Sequence, residues 1–92
     1  METFESAAHI LKTVGHPLRL KIIVGLIKQP GCVKDIWGCL EQPQAIISQH
    51  LAKLKTSGVI EGRRIGVEMH YTVTDPMVRT IVEFLTGSEA LA

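Results

Sequence analysis

The sequence is poor in aromatic residues and cysteine, and it contains no long apolar run. Only four of its 92 residues are aromatic although 46% are hydrophobic, so the core has to be aliphatic. No apolar run reaches the roughly 18 residues that a membrane-spanning helix needs. The N-terminus, METFESAAHILK, lacks the charged and apolar blocks of a signal peptide. The two cysteines are therefore expected to be free thiols in a reducing cytoplasm.

Motifs of enzyme active sites are also missing. There is no glycine-rich phosphate loop, no H-E-x-x-H and no C-x-x-C. Ser48 and His50 lie two positions apart in a segment with helical periodicity, so their side chains face different directions and cannot act as nucleophile and base. The sequence predicts a protein that is not an enzyme and that has no catalytic residues.

The charge of the chain is unevenly distributed, although the net charge is only +1. The middle of the chain, residues 42–66, has four cations against one acid: Lys53, Lys55, Arg63 and Arg64 against Glu61. Residues 67–92 have an excess of acidic side chains. A locally basic segment is typical of a contact with nucleic acid, and a dimer would present it twice. A high apolar fraction in so small a chain also favours a dimer, which would bury a second apolar face.

Hydrophobic periodicity predicts one mainly α-helical domain, residues 1–92, with a small β-hairpin, an α+β fold of order α-α-α-α-β-β-α. Helices are predicted over about residues 3–14, 17–28, 33–40, 43–56 and 76–86, with a tail over 87–92. Gln29-Pro30-Gly31 is predicted to form a turn. The apolar period changes to two after Gly58, which predicts a hairpin whose basic tip, residues 63–67, contains a glycine.

The helix predicted over 43–56 has an unusual polar face. Ile47, Leu51 and Leu54 form its apolar stripe, and the opposite face has short side chains with one charge: Gln44, Ala45, Ser48, Gln49, Ala52 and Lys53. Short side chains allow the helix backbone to approach base edges, where glutamine can pair with adenine and alanine can contact a thymine methyl group. A short helix, a turn and a second helix followed by a hairpin form the winged helix-turn-helix, whose second helix enters the DNA major groove.

Nine residues are candidates for contact with DNA: Gln44, Ala45, Ser48, Gln49, His50, Lys53, Lys55, Arg63 and Arg64. The two lysines are expected at phosphates. The two arginines suit the DNA backbone or the adjoining minor groove. Two alternatives remain open at this point. The segment could be an ordinary solvent-facing helix beside a charged hairpin, or the winged helix could contact a partner protein instead of DNA.

Several segments of the chain resemble the ArsR/SmtB family of dimeric winged-helix repressors. They are HPLRLKII (16–23), SQHL (48–51), SGVI (57–60) and YTV (71–73). The resemblance implies repression of a nearby operon, with an effector that releases the protein from an inverted-repeat operator in double-stranded DNA. It also implies a homodimer formed through the first and last helices, residues 1–14 and 76–86. The chain departs from the family pattern at Pro43, where a helix-capping serine is usual, and at Gln49, where arginine is frequent.

The metal sites that the family uses are incomplete in this chain. The arsenic and cadmium type has C-x-C-D at the start of the third helix, and Lys34 takes the place of the second thiol here. The zinc type places histidines on the last helix, and residues 75–86 contain none. The sulfide-responsive type has one cysteine in the second helix and one in the last, and neither helix has a cysteine here. We therefore expect no complete metal site and no cofactor.

Cys32 and Cys39 remain the candidate effector residues. A regular helix would separate them by about 10 Å, which is too far for one metal ion or one disulfide within a chain. The N-terminus of the helix predicted over 33–40 would lower the pKa of Cys32 and favour its thiolate. A redox or electrophile sensor is one interpretation. A soft-metal site that includes ligands of the partner chain is another, and structural thiols without a sensing role are the third.

Overall fold

The structure is a computed structural model that describes residues 3–28, 31–32 and 42–87. Four α-helices and three strands lie within these ranges: α1 (Phe4–Val14), α2 (Pro17–Lys28), β1 (Gly31–Cys32), α3 (Gln44–Thr56), β2 (Ile60–Ile65), β3 (Glu68–Val73) and α4 (Pro76–Thr86). The bounds of these helices agree with the predicted ones to within one residue. The helix predicted over 33–40, which contains Cys39, lies outside the described residues, as does the tail from residue 88 onward.

Local capping explains where α1 and α4 begin. Thr3 and Ser6 form a capping box, in which Thr3 Oγ1 accepts a hydrogen bond from the Ser6 amide at 3.1 Å and Ser6 Oγ accepts from the Thr3 amide at 2.9 Å. Asp75 Oδ1 accepts from the Met77 amide at 2.9 Å, and Pro76 occupies the first turn of α4. Both signals are local in sequence, which is why both helix starts could be predicted.

The sheet is antiparallel and has the strand order β1-β3-β2. The wing, formed by β2 and β3, pairs Ile60 with Val73 at its base and Ile65 with Glu68 at its tip. The two-residue turn begins at Gly66, whose φ of +65° suits a residue without a Cβ. The predicted hairpin is therefore confirmed. Of the turn predicted at Gln29-Pro30-Gly31, the first two residues lie outside the described ones, and Gly31 differs from the prediction because it lies in β1 and pairs with Tyr71.

The described core is aliphatic, as the composition predicts. Its buried residues come from every described helix and from the start of the wing: Val14, Ile22, Ile23, Val24, Leu26, Ile47, Leu51, Leu54, Val59, Ile60, Val78 and Val82. Helix α2 is central, since it contacts α3, α4 and β3. No described helix is long and apolar enough to cross a membrane. This packing holds α3 on the body of the protein by one face and leaves the other outside.

Candidate nucleic-acid interface

Helix α3 has the two faces that the sequence predicts. Ile47, Leu51 and Leu54 are buried, with Leu54 fully inaccessible to solvent. The residues of the predicted DNA-reading face are all exposed: Gln44, Ala45, Ser48, Gln49, Ala52 and Lys53. Lys55, near the C-terminus of α3, is exposed as well. The reading face is thus held outward by hydrophobic burial on the opposite side of the same helix.

The N-terminus of α3 has no side-chain cap. Pro43 occupies the capping position and provides no side-chain hydrogen bond, and its carbonyl accepts from the amides of Ile46 and Ile47. The first amide groups of α3 are therefore not satisfied by a capping side chain. Such amides, at the positive end of the helix dipole, can donate to a DNA phosphate.

The wing presents its two arginines on opposite faces of the sheet. Arg63 and Arg64 are adjacent in β2 and both are exposed, so their side chains alternate across the strand. Arg64 shares its face with buried Ile60, whereas Arg63 lies on the outer face. Beside them at the tip, Ile65 is half exposed and Val67 is 92% exposed. The two arginine side chains therefore leave the strand on opposite sides of the wing.

The outer face of the wing also contains a weak ion pair. His70 Nε2 lies 3.7 Å from Glu68 Oε1, and His70 is the cross-strand partner of Arg63. The pair is ionic only when His70 is protonated.

Among the residues that the structure describes, no group of three or more His, Cys, Asp or Glu side chains is arranged to hold a metal ion.

Arg19 joins three helices at one point. Its Nε donates to His50 Nδ1 of α3 at 3.1 Å, and its Nη1 donates to the carbonyl of Thr13 at the end of α1 at 3.0 Å. His16 caps α2, because its Nδ1 accepts from the Leu18 amide at 3.1 Å. The rings of His16 and His50 lie 4.5 Å apart between centroids. Sequence reasoning missed this junction, although Arg19 and His50 both lie in segments that resemble the family.

His50 therefore differs from the other eight candidate DNA-contact residues. Its ring is partly buried and accepts a hydrogen bond from Arg19, so it positions α3 against α2. Burial lowers the pKa of His50, and its electrostatic interactions with His16, Arg19 and Lys53 lower it further. The neutral imidazole is also the form that accepts from Arg19 Nε at Nδ1.

The two candidate effector cysteines are described only in part. The backbone of Cys32 lies in β1, and its Cα partner is His70 of β3. Cys39 is outside the described residues. Strand β1 therefore places Cys32 at the edge of the wing sheet, which the sequence did not predict.

Comparison with known proteins identifies bacterial transcriptional regulators as relatives of this chain. The family model described as "Bacterial regulatory protein, arsR family" matches residues 16–61. The transcriptional repressor PagR of Bacillus anthracis is 38% identical over 90% of this chain and 84% of its own length. The repressor SmtB of Mycobacterium tuberculosis is 35% identical over 88% of this chain, which spans 60% of that protein.

Solved structures give the same result for the fold. The crystal structure of PagR has a TM-score of 0.80 at 39% identity and covers 88% of this chain and 93% of its own. The structure of HlyU from Vibrio cholerae has a TM-score of 0.82 at 30% identity and covers 94% and 95% of the two chains. HlyU of that organism is named a transcriptional activator. The winged helix-turn-helix fold is thus shared with DNA-binding regulators.

The lowered pKa of His50 predicts a pH dependence of stability. The unfolded chain takes up a proton at the ordinary histidine pKa of about 6.5, above the pKa of His50 in the folded state. The free energy of unfolding should therefore fall as pH falls from about 6.5 towards the folded-state pKa. His50→Gln should reduce this dependence, because glutamine can accept from Arg19 without titrating. Urea unfolding from about pH 7.5 to 5, at one protein concentration, measures it. Equal pH slopes for the two proteins would contradict the assignment.

Proposed function

The chain belongs to the ArsR family of bacterial regulatory proteins, and we propose that it represses transcription as a homodimer bound to an inverted-repeat operator. It is a DNA-binding transcriptional regulator and not an enzyme. The observation that supports repression by DNA binding most strongly is α3, with one stripe buried and a face of short polar side chains exposed beside a basic wing. A protein of this kind acts where the chromosome is, so we place it in the cytoplasm.

Side-chain chemistry indicates which of these residues contact base edges and which contact the DNA backbone. Gln44, Ser48 and Gln49 on α3 have the short or bidentate polar groups that distinguish base edges in the major groove. The cations nearby contact the sugar-phosphate backbone: Lys53, Lys55, Arg63 and Arg64. The backbone contacts set the affinity and its dependence on salt, whereas the base-edge contacts set the preferred sequence.

Exposed apolar side chains on α1 and α4 support the homodimer. Phe4 is 97% exposed and Phe84 is 87% exposed, and Leu11 and Leu85 are also largely exposed. Met77, Phe84 and Leu85 recur on one face of α4, apart from its buried residues. A second copy covering these faces would bury them and present two α3 helices to one DNA duplex. Half-sites are then expected about one helical turn, roughly 34 Å, or a multiple apart.

Thiol chemistry at Cys32 is our proposal for the effector. The pairing of β1 with β3 places the backbone of Cys32 beside the wing, so a modified or bridged thiol there would strain the sheet that supports Arg63 and Arg64. Cys39 is the second candidate thiol. A change of wing geometry on oxidation would weaken the phosphate contacts and release the operator.

Substitutions on α3 should separate specificity from affinity. Gln44→Ala or Ser48→Ala should relax the preference at particular bases by about 1–3 kcal/mol, because the base-edge contact is lost. Arg63→Gln or Lys53→Gln should weaken binding to all DNA sequences alike. Either change should also lower the slope of log affinity against log salt concentration by about one. Lys28→Gln, exposed at the end of α2 and outside this surface, is the matched control. The measurement is a titration of DNA from upstream of the gene, and of single-base variants, at several salt concentrations. Wild-type affinity and preference in both classes of variant would refute the assignment of α3 and the wing.

Charge placed on the apolar face of α4 should dissociate the dimer. Phe84→Lys is expected to raise the dimer dissociation constant about tenfold or more, since a buried aromatic contact would be replaced by a charge. Glu83→Lys puts the same side chain at the neighbouring exposed position, away from the apolar face, and should leave the constant near its wild-type value. Sedimentation equilibrium of both variants gives the comparison. Dimers of equal strength would show that α4 is not the interface.

Oxidation should release the operator through Cys32. Treatment of the reduced protein with hydrogen peroxide is expected to lower operator affinity at least about fivefold, within the usual range of coupling between sites. Cys32→Ser should resist the treatment, and Cys39→Ser shows whether the second thiol takes part. Equal loss in wild type and in a variant with both substitutions, Cys32→Ser and Cys39→Ser, would make oxidation at other residues responsible. Unchanged binding in the oxidised wild type would leave no sensing role for the thiols.

A further inference from the structure

A basic groove lies between α1 and the C-terminal half of α3. It has a volume of about 450 Å³ and is lined by residues of three helices: His9, Lys12 and Thr13 of α1, Arg19 of α2, and Ala52, Lys53, Thr56 and Ser57 at the end of α3. Ala52 and Lys53 belong to the reading face as well, so the groove opens beside the proposed DNA surface. Its far wall is α1, which the proposed base and phosphate contacts do not involve.

The charges in the groove are not balanced by the part of the protein that the structure describes. Lys12, Arg19 and Lys53 face the same concavity, and no lining residue is acidic. Among the described residues, the ion pair between His70 and Glu68 lies in the wing, away from the groove. Within the same ranges, none of the three cations of the groove is paired with a carboxylate. Like charges around one concavity repel one another, and an anion between them would relieve that repulsion.

Hydrogen bonds within the groove leave donors for a ligand. The Thr13 hydroxyl donates to the His9 carbonyl at 2.8 Å, and the Ser57 hydroxyl donates to the Leu54 carbonyl at 2.9 Å. Arg19 is held by Thr13 and His50 through Nη1 and Nε, which orients the rest of its guanidinium. The two lysine ammonium groups and the remaining guanidinium N–H groups are donors only. Their complement is a ligand group made of acceptor oxygens with negative charge.

The effect of the same charges on His50 supports a positive potential at this place. Arg19 and Lys53 both lower the pKa of His50, whose ring borders the junction behind the groove. The groove volume is within the range of small-ligand sites, roughly 300–1,000 Å³, so it exceeds the needs of a single ion.

We propose that this groove is an anion site that takes a phosphate group. The phosphate could belong to a small phosphorylated compound or to the DNA backbone beside α3, and the chemistry of recognition is the same in both cases. Lys12 on α1 and Lys53 on α3 hold it from opposite walls, and Arg19 lies at the base. Because α1 is also a proposed dimer helix, an occupied groove would tie the dimer interface to the DNA-reading helix. The site does not depend on the proposed repression.

The test begins with inorganic phosphate as the probe. Backbone amide shifts of the full-length protein are followed by NMR in low salt, with chloride at matched ionic strength as the reference. Shifts are expected at residues around Lys12 and Lys53, and Lys12→Gln should weaken phosphate binding about tenfold, as for loss of one charge-assisted hydrogen bond. Lys28→Gln removes an exposed cation of α2 that lies outside the groove and outside the proposed DNA surface, and should change phosphate binding little. Equal weakening by both variants, or shifts no larger than those with chloride, would overturn the proposal.

A second arm identifies the source of the phosphate. Operator affinity of wild type and Lys12→Gln is measured over a range of salt concentrations. A salt slope lower by about one in the variant assigns the groove to the DNA backbone. An unchanged slope, together with weakened binding of inorganic phosphate, assigns it to a free phosphorylated compound. Failure of wild type to bind the operator would refute the proposed repression and leave the phosphate result standing.

Discussion

Burial of Ile47, Leu51 and Leu54 is the constraint on which the proposed DNA-reading surface depends. Helix α3 has only 13 residues and no side-chain cap at its N-terminus, so its own hydrogen bonds hold it weakly. Packing on the aliphatic core sets its rotation as well as its position. A rotation by one residue, about 100°, would expose part of the buried stripe and bury polar side chains. The outward direction of Gln44, Ser48 and Gln49 is therefore a consequence of what is buried behind them.

Arg19 makes a second connection, which is polar and lies at the edge of that core. Through His50 it holds α3, and through the Thr13 carbonyl it holds the end of α1. The junction joins a proposed dimer helix to the reading helix, and the basic groove opens at the same place. A change in charge at this point, whether protonation of His50 or the proposed binding of an anion, would act on a contact shared by both helices. The two connections differ in kind: the aliphatic core gives α3 its position, and the polar junction adds a contact whose charge can change.

The features that could be predicted from the sequence depend on residues close together in the chain. Most of the features that could not be predicted are contacts between residues far apart in the chain. The helix bounds followed from apolar spacing and from signals such as Asp75-Pro76, and the wing followed from alternation around Gly66. Strand β1 was missed because two residues have no period of their own, and Pro30-Gly31 is typical of a turn. The Arg19–His50 hydrogen bond joins residues 31 positions apart, and the groove joins three helices. Neither has a signature in the sequence, since each depends on how the helices pack.

The central claim is that α3 lies in the major groove at two equivalent half-sites. Methylation protection with dimethyl sulfate tests it most directly, because guanine N7 is exposed in the major groove. The DNA would be the region upstream of the gene, with the reduced wild-type protein in excess. Our account predicts two clusters of protected guanines in an inverted repeat, on one side of the duplex and about one helical turn or a multiple apart. Binding without protection of any guanine N7, or protection independent of sequence, would contradict it.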